Sequence, residues 1–140
     1  MEDPVFWYAV ASVLLYVKMF ATSMYQGFHR ITKMTFKTPE DAALAGKAPA
    51  QEELPQVQKA GKAWSNDLEN IPIFLALGVA YVLVGASSGL AGWLFMTFTV
   101  ARYCHTIFYL AELQPWRTIA YGVGTLCMIA MCVLILFTLF

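Results

Sequence analysis

Apolar positions run almost unbroken from Val5 to Val17 and continue past Lys18 toward Phe28. Asp3 and Pro4 stand just before them, where a helix N-cap and first helical position belong. This pattern predicts a first helix over about residues 4–34. From Lys37 to Leu54 the chain turns polar and is broken by Pro39, Gly46 and Pro49, so a loop is expected over about residues 35–54. Pro55 can restart a helix, and the second is predicted over about 55–84, with Pro72 bending it early in its apolar part. The uncharged turn Gly85-Ala-Ser-Ser-Gly89 separates it from a third helix over about 90–110, and Gln114-Pro115 opens a fourth over about 115–139. Apolar runs of this length without strict alternation favour helices over strands. A small open sheet would in any case leave its edges unsatisfied in lipid.

Composition extends this picture beyond a soluble bundle. Of the 140 residues, 59% are hydrophobic and 13% charged, more apolar surface than a chain of this size can bury within itself. A hydrocarbon core of roughly 30 Å takes about 20 helical residues to cross, so the chain can hold four spans and one modest loop. The fold expected is all-α and integral to a membrane: a single domain over residues 1–140, built as a bundle of four transmembrane helices with antiparallel neighbours. The start Met1-Glu2-Asp3-Pro4 lacks the basic region of a removable signal peptide, so the first apolar stretch is expected to remain as a span.

Charge sets the orientation and removes some functions. Nine basic and nine acidic residues balance, with no basic arm or arginine stripe, which excludes a nucleic-acid partner. Arg30, Lys33, Lys37, Lys47, Lys59 and Lys62 lie in the first connection and its flanks, which places that loop, and the Glu112–Arg117 turn with it, in the cytoplasm. Glu2 and Asp3 charge the opposite face. The chain is thus expected to be a multi-pass protein of the endoplasmic reticulum in a eukaryote, or of the inner membrane in a bacterium. Cys104, Cys127 and Cys132 lie in apolar stretches without Cys-x-x-Cys spacing, so neither a disulfide framework nor a metal site is expected.

Candidate chemistry gathers at the cytoplasmic helix ends. The first helix brings Arg30. The second brings Lys62, Asn66 and Glu69 at i, i+4, i+7, and the third Arg102, His105 and Tyr109 at i, i+3, i+7, each set on one helical face. The fourth adds Arg117, Thr118 and Tyr121. Ionisable groups at membrane depth face a bundle interior or a wet cavity, so their convergence points to a polar, cationic pocket. Lys18, mid-span, is expected to pair with Asp67, and Arg102 is divided between that internal pairing and the pocket. The aromatic stretches Phe6–Tyr8 and Trp93–Phe98 are expected at the membrane interface and lipid surface, and Gly122 and Gly124 at close helix packing.

The motifs Thr38-Pro-Glu-Asp41, Asn66-Asp-Leu-Glu-Asn70, Arg102-x-x-His105-Thr106-x-x-Tyr109-Leu110 and Gln114-Pro-x-Arg117 resemble those of the MAPEG family, the membrane-associated proteins of eicosanoid and glutathione metabolism. The resemblance runs in order from Lys18-Met19 to Tyr121 and is strongest to the branch of microsomal glutathione transferases and prostaglandin E synthases. It implies a homotrimer embedded in membrane lipids, with glutathione as cofactor or co-substrate between neighbouring subunits near the cytoplasmic face. A lipophilic electrophile or lipid peroxide arrives from the bilayer. By the same resemblance Arg30, Lys62, Asn66, Glu69, Arg102, His105, Tyr109, Arg117 and Tyr121 contact glutathione, and Arg117, Thr118 and Asp41 are the catalytic candidates. Arg117 lies near a helix N-terminus, whose positive end adds to the guanidinium in stabilising a thiolate. Without any catalytic role, Thr38 to Asp41 also reads as a capping box that starts a short helix.

The activity implied first is that of a membrane-bound glutathione transferase and peroxidase. Prostaglandin H to E isomerisation is the alternative, and a non-enzymatic lipid-binding scaffold of the same family a further one. Ser65 stands where the prostaglandin-isomerising members have an arginine, Lys62 replaces another arginine, and Thr118 replaces their serine. Ala42 stands where the transferases carry a reactive cysteine, and Pro72 comes one position early.

Overall fold

The Asp3 side chain accepts a hydrogen bond from Val5 N at 2.9 Å and so starts the first helix, α1 (Pro4–Thr32). The computed structural model describes residues 3–140; Glu2 lies outside them. After α1 come a short helix α2 (Pro39–Leu44) and three long ones, α3 (Pro55–Leu83), α4 (Ser88–Leu110) and α5 (Trp116–Leu139). Segment 35–54, read as loop, therefore contains one and a half turns of helix. Thr38 precedes α2 without a side-chain cap hydrogen bond, so the helix rests on Pro39 and two acids in its first turn rather than on a capping box. Met34, Gly46, Gly85 and Glu112 take positive φ where the chain leaves helices.

α1, α3 and α4 pack on one another, and α5 packs on α4 and α3. α1 and α5 do not meet among the described residues. α1, α3 and α5 are long and apolar enough to cross a membrane. α4 has the length, 23 residues, but Arg102 and His105 in its second half lower its hydropathy, and it is not among these three. What ties α4 to the bundle is its buried face of Ala91, Phe95, Phe98, Ala101, Arg102 and His105.

The centre of the core is aromatic. Phe74 of α3 stacks on Phe98 of α4 with ring centres 3.9 Å apart, and Phe95 sits edge-on to Phe74 and Tyr81. Tyr8 joins them edge-on to Phe95 at 6.0 Å. This corrects the lipid-surface reading of two aromatic stretches. Phe6 and Trp93 do face outward, but Trp7 and Tyr8 turn inward and Phe95 and Phe98 are fully buried. The reason is glycine on the facing helices: a Cβ on Gly78 would lie 2.6 Å from the Tyr8 ring, and one on Gly92 would lie 2.8 Å from Trp7 Nε1. Gly124 makes ordinary contact with Phe98, whereas Gly122 faces open space.

Most hydroxyls in this apolar setting are satisfied locally, whereas the buried Thr106 Oγ1 has no partner among the described residues. Ser12, Thr22, Thr99 and Thr125 donate to the carbonyl four residues back. Tyr103 spans helices instead, donating to Leu14 O at 2.8 Å. The free cysteines differ in setting: Cys127 is buried in the core, Cys104 partly buried and Cys132 exposed.

Candidate functional site

Below the aromatic core the interior becomes charged. Asp67 on α3 is fully buried and accepts from Lys18 of α1 through Oδ2 and from Arg102 of α4 through Oδ1, at 3.1 Å from Nε and 2.5 Å from Nη2. Lys18 is 3% exposed and Arg102 1%. One carboxylate thus joins three helices at a depth where none of the three charges could be left alone. Arg102 Nη2 also donates to Asn66 Oδ1 at 2.7 Å, which carries the network outward to the protein surface.

The surface it reaches is a continuous polar groove over α3, α4 and the start of α5. A cavity of about 570 Å³ is lined by Lys62, Ser65, Asn66, Glu69 and Tyr109, among others. A second, of about 260 Å³, is lined by Asn66, His105, Tyr109, Arg117, Thr118 and Tyr121. A third, of about 180 Å³, reaches Lys59, Lys62, Glu112, Gln114 and Arg117. Tyr109 lines all three. The helical spacing explains the assembly: Lys62, Asn66 and Glu69 share one face of α3, and His105 and Tyr109 are four apart on α4.

Arg117 is the second residue of α5, and its guanidinium carbon lies 4.6 Å from the centre of the Tyr109 ring. With the Gln114 amide oriented to match its neighbours, its oxygen accepts from Arg117 Nε at 3.1 Å and Nη2 at 2.5 Å, while its nitrogen donates to Thr118 Oγ1 at 3.0 Å. Gln114 stands in the sequence only as a motif residue at a helix start and not among the candidate contacts; its spacing of three and four residues from Arg117 and Thr118 was the available signal. His105 lies between the Tyr109 and Tyr121 rings, centres 5.8 and 6.2 Å away, and its buried Nδ1 has no partner among the described residues.

The charges of the groove are unevenly committed. Lys59 is ion-paired with Glu112 across its mouth. Among the described residues, Lys62, Glu69 and Arg117 have no ion-pair partner. The groove therefore offers two cations, one carboxylate, a hydroxyl and two phenols to a ligand.

Eight of the candidate residues line this groove: Lys62, Asn66, Glu69, His105, Tyr109, Arg117, Thr118 and Tyr121. Three others do not. Arg102 is buried beneath the groove and meets it only through Asn66. Arg30, on α1, is held by Glu53, which accepts from its Nε at 3.0 Å and Nη2 at 2.6 Å. Asp41 is exposed on α2. A separate apolar cavity of about 450 Å³ lies between α4 and α5, lined by Trp93, Val100, Cys104, Phe108, Trp116 and Ile119 among others.

The chain is similar to known proteins over most of its length. A model of the MAPEG family matches residues 6–137. The chain is 35% identical over 120 residues to prostaglandin E synthase of Equus caballus, covering 85% of this chain and 78% of that one. To microsomal glutathione S-transferase 1 it is 36% identical in Homo sapiens and 38% in Bos taurus, over 130 residues in each case, 89% of this chain and 84% of those. With a family match over nearly its whole length and three helices fit to cross a bilayer, the chain is an integral membrane protein and belongs to the MAPEG family.

Proposed function

We propose that the groove binds glutathione and activates it as a thiolate for attack on lipophilic electrophiles or lipid hydroperoxides. The observation that carries this reading is the match between the groove's uncommitted charges and the tripeptide. Glutathione has two carboxylates, one ammonium and one thiol. Glu69 is free to accept from the ammonium, Lys62 to hold a carboxylate, and Arg117 to meet the sulfur. The second carboxylate requires another cation. This reading assigns that role to Arg30 of a neighbouring subunit, exchanging its Glu53 partner for the ligand's carboxylate. A homotrimer with four spans per protomer, α4 being the fourth, satisfies this requirement, and the positive-inside rule turns the groove to the cytoplasm. The membrane is the endoplasmic reticulum in a eukaryote and the inner membrane in a bacterium.

Arg117 performs the activation. Its guanidinium is already held by Gln114 and Tyr109, so it needs no reorganisation when charge develops on sulfur. The α5 N-terminus contributes in the same direction. Because the Gln114 amide nitrogen donates to Thr118, the threonine hydroxyl keeps its own proton for the thiolate. Lowering a thiol pKa by about 2 units takes roughly 2.7 kcal/mol of preferential stabilisation of the charged form. In a conjugation the thiolate displaces a leaving group from carbon. In a peroxide reduction it attacks the terminal oxygen and breaks the O–O bond: the lipid leaves as an alkoxide that takes up a proton to become the alcohol, and the sulfenic acid formed condenses with a second glutathione to give glutathione disulfide and water.

Transferase and peroxidase chemistry is favoured over prostaglandin H to E isomerisation by Ser65. It lines the cavity of about 570 Å³ and donates to Gly61 O at 3.1 Å, so the groove is open where an arginine would enter it. The isomerase is the second reading, carried by the 35% identity to prostaglandin E synthase. Turnover of an aryl halide, a lipid hydroperoxide and prostaglandin H by the purified protein with glutathione separates the two. Activity on the first two supports the transferase reading. Activity on prostaglandin H alone moves the assignment to the isomerase, and activity on none overturns both.

A further inference from the structure

Asn66 sits where the groove meets the buried charges. Its Oδ1 accepts from Arg102 at 2.7 Å, and the residue lines two of the cavities. A side-chain amide ends in one acceptor atom and one donor group, so with the oxygen turned inward the nitrogen remains for the groove. Arginine has no acceptor, and the amide cannot reverse without facing donors with donors. Arg102 cannot turn away either. Its Nε and Nη2 are both engaged by Asp67, and Asp67 is fixed from its other side by Lys18. Two buried cations share one carboxylate, and the surplus positive charge adds to the attraction for the amide oxygen.

Resting on the assignment of the groove to glutathione, we infer that Lys18, Asp67 and Arg102 form a positioning network that locks Asn66 as a hydrogen-bond donor to a carboxylate or carbonyl oxygen of the tripeptide. Asn66 presents NH to the groove, and among the described residues lining the larger cavity the one anionic acceptor is Glu69, one turn on along α3. The network thus sorts the ligand's oxygens from its ammonium along one helix face. Asn70 is kept out of this competition, since its own Nδ2 donates to Asn66 O at 2.7 Å.

The chain contains two asparagines, Asn66 and Asn70, so the full-length protein with 13C,15N-labelled asparagine in lipid nanodiscs gives two side-chain amide signals. In the ligand-free state the Asn66 Cγ resonance is expected to shift in Arg102→Met, which removes the guanidinium, and in Arg102→Lys, which keeps the buried charge if the first variant does not fold. An unchanged resonance overturns the proposal whether or not glutathione binds. Asn66→Asp is the second arm. It gives Arg102 a better acceptor and neutralises the surplus charge, so the melting temperature is expected to hold or rise, while loss of the donor lowers glutathione affinity by roughly tenfold or more. A purely structural Asn66 would keep wild-type affinity in that variant, and that result overturns the proposal. Failure of the wild-type protein to bind glutathione overturns the assignment of the groove instead, and the ligand-free resonance still decides the orientation of Asn66.

Discussion

The Arg117 guanidinium lies over the Tyr109 ring, 4.6 Å from its centre, so one face of the cation is covered by an aromatic and, with Nε and Nη2 turned to Gln114, Nη1 is left for a ligand. A cation held this way is worth about 0.5 to 1 kcal/mol at a partly exposed site, a factor of roughly two to five. Tyr109→Phe keeps the ring, and Tyr109→Leu does not. The leucine variant is expected to lose two- to fivefold more kcat/KM for glutathione than the phenylalanine variant. Equal losses would mean that only the hydroxyl matters.

Gln114 makes a separate prediction because its two ends serve two residues. Gln114→Ala removes both contacts, at about 1 kcal/mol for each hydrogen bond. Gln114→Glu still accepts from Arg117 but adds a negative charge beside it and withdraws the donor from Thr118. The pH at which bound glutathione ionises is therefore expected to rise in Gln114→Glu, since a neighbouring anion disfavours a thiolate. Absorbance at the thiolate band followed against pH gives that midpoint; a lower midpoint would contradict the arrangement.

The buried charges predict opposite outcomes for two substitutions in one network. Asp67→Ala leaves Lys18 and Arg102 facing each other without a carboxylate and is expected to cost about 3 to 5 kcal/mol. Lys18→Met leaves the Arg102–Asp67 pair intact and removes the surplus charge, so its cost is expected to be under about 1 kcal/mol, with stabilisation a permitted result. Thermal unfolding in detergent ranks the two. Lys18→Met as damaging as Asp67→Ala would show that the surplus cation is compensated elsewhere.

Close helix approach is tested by glycine. Gly78→Ala and Gly92→Ala drive a methyl into Tyr8 and Trp7, and each is expected to destabilise by about 1 to 3 kcal/mol. Gly122→Ala meets nothing within 4 Å in the described chain and is expected to leave the unfolding temperature of the monomeric chain unchanged.

Much of this was legible from pattern, for physical reasons that also mark where it stopped. Charges inside an apolar run have few partners at their own depth, which is why the pairing of Lys18 with Asp67 could be read from spacing alone. Helical periodicity likewise brings Lys62, Asn66 and Glu69 to one face without knowledge of any contact. The inward turn of Trp7 and Tyr8 was not legible, because an aromatic near a helix end suits the membrane interface as well as a glycine notch on another helix. The Arg30–Glu53 pair was hidden for a different reason: it depends on the path of an irregular connection. Asn66 could have offered either end of its amide until Arg102 was placed against it. Arg102 itself, divided in the sequence between pocket and interior, is wholly interior.

The central claim is that Arg117 holds glutathione as a thiolate, and ultraviolet titration of the purified protein with glutathione tests it most directly. Thiolate absorbance is expected to saturate with glutathione in the wild-type protein at neutral pH and to be lost in Arg117→Ala while that variant remains folded. Thiolate absorbance of wild-type amplitude in Arg117→Ala would contradict the account.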